Sequence, residues 1–358
     1  MKILMGFLLS LSLNLNCLAN DEYRILREKE NQLRSIDIHD KSLTFKQLGG
    51  TTPTNFMVKK NGLPIANLKC TKLNTYHKAA IVAYEFGKIL GFNIYPVAIP
   101  VQVNREISFK AKNGQRNLVT ITLNEECALK EWSSVFTQYY WTKSSFQSRI
   151  LRKKRIVNLL KCQIPKFDQY NNGFEYYSQS RYGHPSSKDL GRGGGKLVTY
   201  RGHGNEYKQA ASDFSNMMLI DAIMANNDRF PGGNIHFRPI DGLWTEEGSE
   251  IVFQQSRLFS LDNESAFRQR INYAMIDFKK YVSRFDPTLI TKLKELKDKL
   301  ESLETNNPLP QEFRYLEFRT KETKEPALPF ILKNINTILE LVHSYEVNPD
   351  CGYSSTYF

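Results

Sequence analysis

The sequence predicts an α+β protein in which a small β-rich part comes first and a larger helical part follows. Between residues 43 and 130, short β-type runs alternate with Gly-containing turns, and one helical pattern interrupts them. Beyond residue 130, apolar residues recur mainly at helical spacing. The chain has 358 residues, which is long enough for two such parts, each with its own core.

The first nineteen residues predict an export signal. Lys2 supplies a positive end, residues 3–15 are almost wholly apolar, and Cys17-Leu18-Ala19 offers small residues for cleavage. The apolar run is short for a membrane span, and a retained or lipidated anchor at Cys17 is the alternative. We expect residues 1–19 to be a cleaved signal peptide of an exported protein, in the periplasm, the secretory pathway or the extracellular space. Residues 20–42 then form a polar leader or short helix, and no later segment is apolar enough to cross a bilayer.

The cysteine content and the net charge limit the disulfides and the kinds of partner that the sequence predicts. Beyond the predicted signal peptide the chain has four cysteines, Cys70, Cys127, Cys162 and Cys351. An even number in an oxidising compartment permits two disulfides, and all three pairings stay open. The net charge of +12 favours acidic acceptors and triphosphates. Because no recognition motif accompanies this charge, we expect no nucleic-acid partner.

The β-rich part begins with three predicted strands, Phe45–Leu48, Asn55–Lys59 and Leu63–Cys70. Asn61-Gly62 between the last two is a strong hairpin signal. A helix follows over Thr75–Leu90, and Gly91 is a plausible helix stop.

The rest of this part is predicted to be a strand over Ile94–Val103 and then a second hairpin. Its arms begin at Ile107 and return through Leu118–Leu123, around a Gly-containing turn at residues 112–115.

The larger part is predicted to be mainly helical, over Arg149–Cys162, Tyr207–Asn226, Pro287–Leu303 and Leu328–Tyr345. Residues 163–205 form a polar stretch, rich in Gly and Tyr, that shows no regular pattern. A segment of that length without regular structure is usually a functional lid or an insertion. We place the boundaries at 43–130 for the β-rich part, 131–348 for the helical part and 349–358 for a tail.

Two features of the β-rich part are candidates for phosphate binding. Gly49, Gly50 and Thr51 lie between strands, where glycine lets backbone N–H groups approach a phosphate. Lys69 ends an apolar strand about twenty residues later, where a kinase holds a cation for the α- and β-phosphates of ATP. Taken alone, a Gly-Gly hairpin tip and a strand-end lysine are also ordinary features.

Two segments of the helical part carry candidate catalytic chemistry. The helical run ends in Asn226-Asn227-Asp228-Arg229, and Asn234 follows six residues after Asp228. In the second segment, Asp262 follows the apolar run Leu258–Leu261. A phosphotransferase needs one carboxylate to orient the attacking hydroxyl, and an amide and a carboxylate to hold Mg²⁺. We therefore assign Asp228 to catalysis and Asn234 and Asp262 to metal, against the alternatives of a helix-end ion pair and a simple turn.

These segments resemble those of the secretory-pathway kinases related to Golgi casein kinase and four-jointed. The motifs of that family are Gly-Asn-x-Asp-Arg-His and Leu-Asp-Asn-Gly-x-x-Phe. Residues 226–229 match the Asn-x-Asp-Arg part of the first, with Phe230 in the place of the His, and Leu261-Asp262-Asn263 with Phe267 match the second apart from its Gly. More distantly, the segments are similar to HipA-type and phosphatidylinositol 4-kinase folds. Leu48–Thr51 and Ala83–Phe92 are also similar to the family, so that the resemblance covers about residues 43–300 in islands. It implies a two-lobed atypical protein-kinase-like fold, ATP with Mg²⁺ or Mn²⁺ as cofactors, and the site residues assigned above.

One departure from the family concerns the acidic partner of Lys69. The helical Glu that the resemblance leads us to expect falls on Ala80. Glu85 is the nearby substitute, about 140° further round the helix. We assign Glu85 to the cofactor site on that basis.

Taken together, the sequence predicts an exported kinase that transfers the γ-phosphate of ATP to a hydroxyl. A protein Ser/Thr is the first-choice acceptor, and a sugar or lipid hydroxyl is the alternative. Other readings are a catalytically weak binding module on the same fold, and a nucleotidyl transferase that binds ATP in the opposite sense.

Overall fold

A computed structural model describes parts of the chain. They are residues 24–48, 54–70, 76–92, 94–110, 118–132, 137–138, 175–178, 196–199, 216–227, 235–239, 245–247, 250–252, 256–260, 263, 266–267, 271–281, 287–320 and 323–347. The chain divides into two compact units. The sheet unit comprises Met1–Cys70 and Val97–Trp132, and the helical unit comprises Thr71–Pro96 and Ser133–Phe358.

The sheet unit is built on five antiparallel strands, β1 Thr44–Gln47, β2 Asn55–Lys60, β3 Leu63–Lys69, β4 Ala98–Lys110 and β5 Leu118–Glu131. Their order in the sheet is β1-β2-β3-β5-β4. The predicted Asn61-Gly62 hairpin is confirmed, because β2 pairs with β3 and both turn residues have positive φ, 52° and 80°. This is the conformation that a two-residue hairpin turn requires.

The predicted break after Val103 is wrong, since β4 runs unbroken from Ala98 to Lys110 and pairs with β5 along its whole length. The polar run Asn104-Arg105-Glu106 lies inside β4. It belongs to the strand because its residues pair with β5, and the Arg105 side chain adds bonds to backbone carbonyls. Its guanidinium donates to the carbonyl of Ile38 at 2.6 Å.

Aromatic rings fill the core of the sheet unit. The ring of fully buried Phe56 lies 6.2 Å from that of Phe45 and 5.0 Å from that of Phe109, both edge to face. A helix over residues 24–34 covers this unit, with Leu26 and Leu33 buried. The expectation of a short helix in the leader is therefore met over these residues.

The helical unit contains five α-helices among its described residues, and a 3₁₀ helix. The α-helices are Tyr76–Leu90, 216–224, Tyr273–Tyr281, Pro287–Glu301 and Ala327–Val347, and the 3₁₀ helix is Gln311–Leu316. Four of these helices agree with the sequence predictions within two residues at each end that is described; Tyr273–Tyr281 was predicted only as part of a general helical region. The predicted helix Arg149–Cys162 and the start of the predicted helix Tyr207–Asn226 lie outside the described residues.

Short strands complete the helical unit. They are β6 Thr137–Gln138, β7 Glu175–Ser178, β8 Lys196–Thr199, β9 Ile235–Pro239, β10 Thr245–Glu247, β11 Glu250–Val252 and β12 Ser256–Ser260. They form a three-stranded sheet in the order β12-β9-β6 and two hairpins, β7-β8 and β10-β11. The expectation that residues 163–205 lack regular structure is wrong, because β7 and β8 fall inside that range and pair with each other. Each of these strands has only four residues, so the alternation of its side chains is too short to be recognised in the sequence.

The helix Tyr76–Leu90 ends at Gly91, as predicted. Gly91 has φ 84°, and the N–H of Phe92 donates to the carbonyl of Gly87 at 2.6 Å, which is a Schellman cap. Two residues further on, the carbonyl of Ile94 accepts the N–H of Ser260 at 2.7 Å. The end of this helix is thus tied to the end of β12, within the helical unit.

The predicted signal peptide at residues 1–19 and the tail at 349–358 lie outside the described residues. Within the part of the chain that is described, no helix is both long and apolar enough to cross a membrane.

Candidate active site

Lys69 lies at the end of β3, next to a hairpin loop. It is the last residue of that strand, stands opposite Asn55 and Ala128, and is 8% exposed. The N–H of Leu48 donates to the carbonyl of Asn55 at 2.8 Å and closes the hairpin between β1 and β2. The described residues on either side of that hairpin loop and the end of β3 therefore lie at the same end of the sheet. Gly49, Gly50 and Thr51 belong to the loop between them and lie outside the described residues.

A disulfide follows Lys69 directly. Cys70 and Cys127 are joined, their Cα atoms are 4.4 Å apart, and both side chains are fully buried. Sequence reasoning left three pairings open, and this one is decided by strand register. Lys69 pairs with Ala128, so the next residue on β3 meets the preceding residue on β5. Cys162 and Cys351 lie outside the described residues.

The segment that leads into Asp228 has a fixed backbone. The helix 216–224 ends at Ala225, which has φ 53°, and the N–H of Asn226 donates to the carbonyl of Asp221 at 2.8 Å. This is again the hydrogen bond of a Schellman cap, here with alanine in the place usually taken by glycine. The Asn226 side chain adds a second bond, from Nδ2 to Oδ1 of Asp221 at 2.9 Å, and both residues are buried.

Asparagine side chains bind this helix end to the helix Tyr273–Tyr281. Asn227 donates through Nδ2 to the carbonyl of Ile271 at 3.1 Å and accepts through Oδ1 the N–H of Ala274 at 2.9 Å. In return, Asn272 donates to the carbonyl of Ala222 at 2.7 Å. Asn227 is the residue immediately before Asp228. The residue that precedes the candidate catalytic position is therefore held by two side-chain hydrogen bonds.

Sequence reasoning missed Asn227, Asn272 and Asn334 as positioning residues. Asn272 accepts the N–H of Met275 at 2.8 Å and so caps the helix Tyr273–Tyr281. Asn334 reaches from the helix Ala327–Val347 and donates to the carbonyl of Ile223 at 2.9 Å. An Asn just before a helix is a readable capping signal. The long-range bonds of the other two have no signal in a single sequence.

The second motif segment is ordered on either side of Asp262. Ser260 is fully buried, and its hydroxyl donates to Oδ1 of Asn263 at 2.8 Å. The carbonyl of Asn263 accepts the N–H of Ala266 at 3.1 Å. Phe267 then has φ 59°, and its ring packs edge to face against those of Phe318 and Phe330.

A backbone hydrogen bond joins the two motif segments. The N–H of Phe267 donates to the carbonyl of Met224 at 2.9 Å, four residues before Asp228. Phe267 and Ala225, the residue that follows Met224, both have a left-handed backbone conformation, which is costly for a residue with a Cβ. Strained conformations of this kind concentrate at functional sites.

The metal candidates flank a strand pair. β9 and β12 are antiparallel, and Ile235 stands opposite Ser260. Asn234 is the residue before Ile235, and Asp262 is the second residue after Ser260. Asp228, Asn234 and Asp262 themselves lie outside the described residues. Across the described ranges there is no group of three or more His, Cys, Asp or Glu that could hold a metal ion.

Glu85 lies on the helix Tyr76–Leu90 in the helical unit. Its carboxylate forms an ion pair with Lys88, with 2.8 Å between Oε2 and Nζ. Burial, and then the negative charges of Glu85 and Glu312, raise the pKa of Tyr315 well above its usual range, so Glu85 also lies near that ring. Ala80, where the family motif has an acidic residue, is 3% exposed.

Comparisons with known proteins give distant likenesses among solved structures only. No family model matches the chain, and no curated protein matches its sequence. Among solved structures, the crystal structure of the Golgi casein kinase with Mn/ADP bound is similar, with a TM-score of 0.45 and 13% sequence identity. The similarity covers 90% of this chain and 78% of that chain. This likeness to a kinase structure is distant, and neither family nor activity is taken from it.

Proposed function

We propose that the protein is an ATP-dependent kinase that transfers the γ-phosphate to a hydroxyl, with protein Ser or Thr as the acceptor. The observation that carries the proposal is the hydrogen bond between Phe267 and Met224. It joins two segments whose residues, taken from the sequence alone, form the ordered set of a phosphotransferase. Because the two segments are over thirty residues apart in sequence, the bond is independent support for one site.

The proposed roles follow from residue chemistry. The carboxylate of Asp228 accepts a hydrogen bond from the acceptor hydroxyl and takes its proton as the phosphoryl group is transferred. Lys69 binds the α- and β-phosphates, and the backbone of Gly49, Gly50 and Thr51 covers them. The hairpin between β1 and β2 and the lysine at the end of β3 support these roles, because protein kinases hold ATP with a Gly-rich loop and a β3 lysine.

The metal proposal rests on the donor set. Asn234 and Asp262 offer an amide and a carboxylate oxygen, which suit Mg²⁺ or Mn²⁺. The ladder between β9 and β12 supports a shared site, since it joins the strand that follows Asn234 to the strand that precedes Asp262. The ion would neutralise negative charge on the β- and γ-phosphates.

The compartment and the acceptor are also proposals. The apolar run of residues 3–15 favours export, and a disulfide between two buried cysteines fits an oxidising compartment. The net charge of +12 favours an acidic acceptor. A glycan or lipid hydroxyl is the alternative acceptor.

A binding module that keeps the fold without strong catalysis is the second candidate. Two observations favour it: Ala80 takes the place of the family's acidic residue, and Glu85 forms an ion pair with Lys88. A kinase that lacks the acidic partner of its lysine positions ATP poorly. ATP would then be bound with little turnover.

The decisive experiment is turnover of ATP by the purified full chain with Mg²⁺ or Mn²⁺. We expect wild-type turnover, and a loss of about 10²–10⁴-fold in both Asp228→Asn and Asp262→Ala. Asp298→Asn is the matched control, because it removes a carboxylate from an exposed helical position and should leave turnover unchanged. Binding without turnover in wild type supports the module, and AMP attached covalently to the acceptor supports nucleotidyl transfer.

A further inference from the structure

The end of β3 is held by three residues that lie side by side, which we call the end row. They are Thr54 just before β2, Cys70 just after β3, and Cys127 of β5. The N–H of Cys70 donates to the carbonyl of Thr54 at 2.9 Å, and the Thr54 hydroxyl donates to the carbonyl of Cys70. On the other side, Cys70 is bonded to Cys127 of β5. The position after Lys69 is therefore tied to both neighbouring strands.

The end row and Lys69 point to opposite faces of the sheet. Consecutive strand residues alternate between faces, so Lys69 shares its face with its partners Asn55 and Ala128. The disulfide instead joins the face of buried Leu68. It thus lies away from any molecule that Lys69 would bind, and its influence on Lys69 is through the backbone.

The end row is also where the strand stops. β3 ends at Lys69, and among the described residues the remaining hydrogen bonds of Cys70 are those to Thr54. Strand ends fray when their last residues lack partners. A covalent bond one residue beyond Lys69 removes that freedom where a binding lysine needs a fixed backbone.

We propose that the Cys70–Cys127 disulfide is a positioning element for ATP binding, which fixes the end of β3 so that Lys69 meets the phosphates. The inference rests on the proposed role of Lys69 in ATP binding. It adds that the disulfide sets the affinity for ATP as well as the stability of the sheet unit.

The test measures binding of Mg-ATP at equilibrium, with no need for turnover. We expect the Cys70→Ala/Cys127→Ala variant of the full chain to bind Mg-ATP about tenfold more weakly than wild type, at a temperature where both are folded. The matched control is Cys162→Ser/Cys351→Ser, which changes two cysteines outside the end row and should keep wild-type affinity.

A double-mutant cycle separates positioning from general stability. In a Lys69→Met background, loss of the disulfide should cost no further affinity, because the residue that it positions is gone. An equal tenfold loss in both backgrounds overturns the inference, and so does wild-type affinity in the cysteine variant.

Two further outcomes are informative. If the cysteine variant does not fold, Thr54→Val replaces it, since this change removes one hydroxyl bond from the same row. We expect about threefold weaker binding, and unchanged affinity overturns the inference. If wild type binds no Mg-ATP, the proposed function fails and the inference falls with it.

Discussion

Ala225 has a left-handed backbone at φ 53°, where a helix most often ends in glycine. The conformation costs a residue with a Cβ about 1–2 kcal/mol. The position is fully buried, so a glycine there would lose the packing of one methyl group, worth about 0.8 kcal/mol. Glycine also loses about 0.5–1 kcal/mol more backbone entropy than alanine on folding. Together the two losses nearly cancel the relief of strain, so the strain is visible only by comparison with an unstrained alanine.

Ala222, in the same helix and equally buried, supplies that comparison. We expect Ala222→Gly to lower the free energy of unfolding by about 2 kcal/mol, from helix propensity and the lost methyl group together. Ala225→Gly should change it by less than about 0.5 kcal/mol, because relief of the strain offsets the same loss. Urea unfolding of both variants measures the difference. Equal losses in the two variants would show that Ala225 carries no strain.

At the level of elements, the helix 24–34 contacts the end of β5 through a part-buried pair of ionisable side chains, Lys29 and Glu131. Lys29 Nζ lies 2.5 Å from the carboxylate of Glu131, whose side chain is 7% exposed. Burial raises the pKa of Glu131 to about 7, against the lowering effect of a hydrogen bond from the N–H of Val97. A carboxyl group whose folded pKa is raised stabilises the fold most when protonated. Its contribution is complete below the unfolded pKa of about 4.5 and is lost as pH rises through about 7.

We therefore expect the free energy of unfolding to fall by on the order of 3 kcal/mol between pH 4.5 and pH 7, as far as Glu131 is concerned. Glu131→Gln should flatten this fall, because the side chain no longer titrates. Lys29→Met should steepen it, since the ionised carboxylate then stays buried without that cation. Denaturant unfolding across this pH range measures all three slopes. A fall that is the same in wild type and Glu131→Gln would rule out Glu131 as its source.

Elements that depend on neighbouring residues could be predicted from the sequence, and those that depend on distant ones could not. Asn61-Gly62 and Gly91 were readable because turn and cap geometry is set within a few residues. The Cys70–Cys127 pairing was not readable, since it follows from the register of β3 against β5, whose bonded cysteines are 57 residues apart. The candidate site residues stay a prediction from their order in the sequence, whereas the bond from Phe267 to Met224 requires the fold itself.

For the whole molecule, binding of a metal–nucleotide complex should appear as added stability. A ligand that binds only the folded chain stabilises it by an amount that grows with its concentration, about 2.7 kcal/mol at one hundred times Kd. The proposed ligands Asn234 and Asp262 make this effect depend on the divalent ion, because ATP alone would meet the Asp262 carboxylate with like charge. We expect Mg²⁺ or Mn²⁺ with ATP to raise the unfolding temperature of the full chain, and ATP with EDTA to raise it much less. Asp262→Ala should lose the dependence on metal, while the exposed Asp298→Asn should keep it. An unfolding temperature that ATP raises equally with metal and with EDTA would remove Asn234 and Asp262 from nucleotide binding and leave Lys69 as the residue to examine.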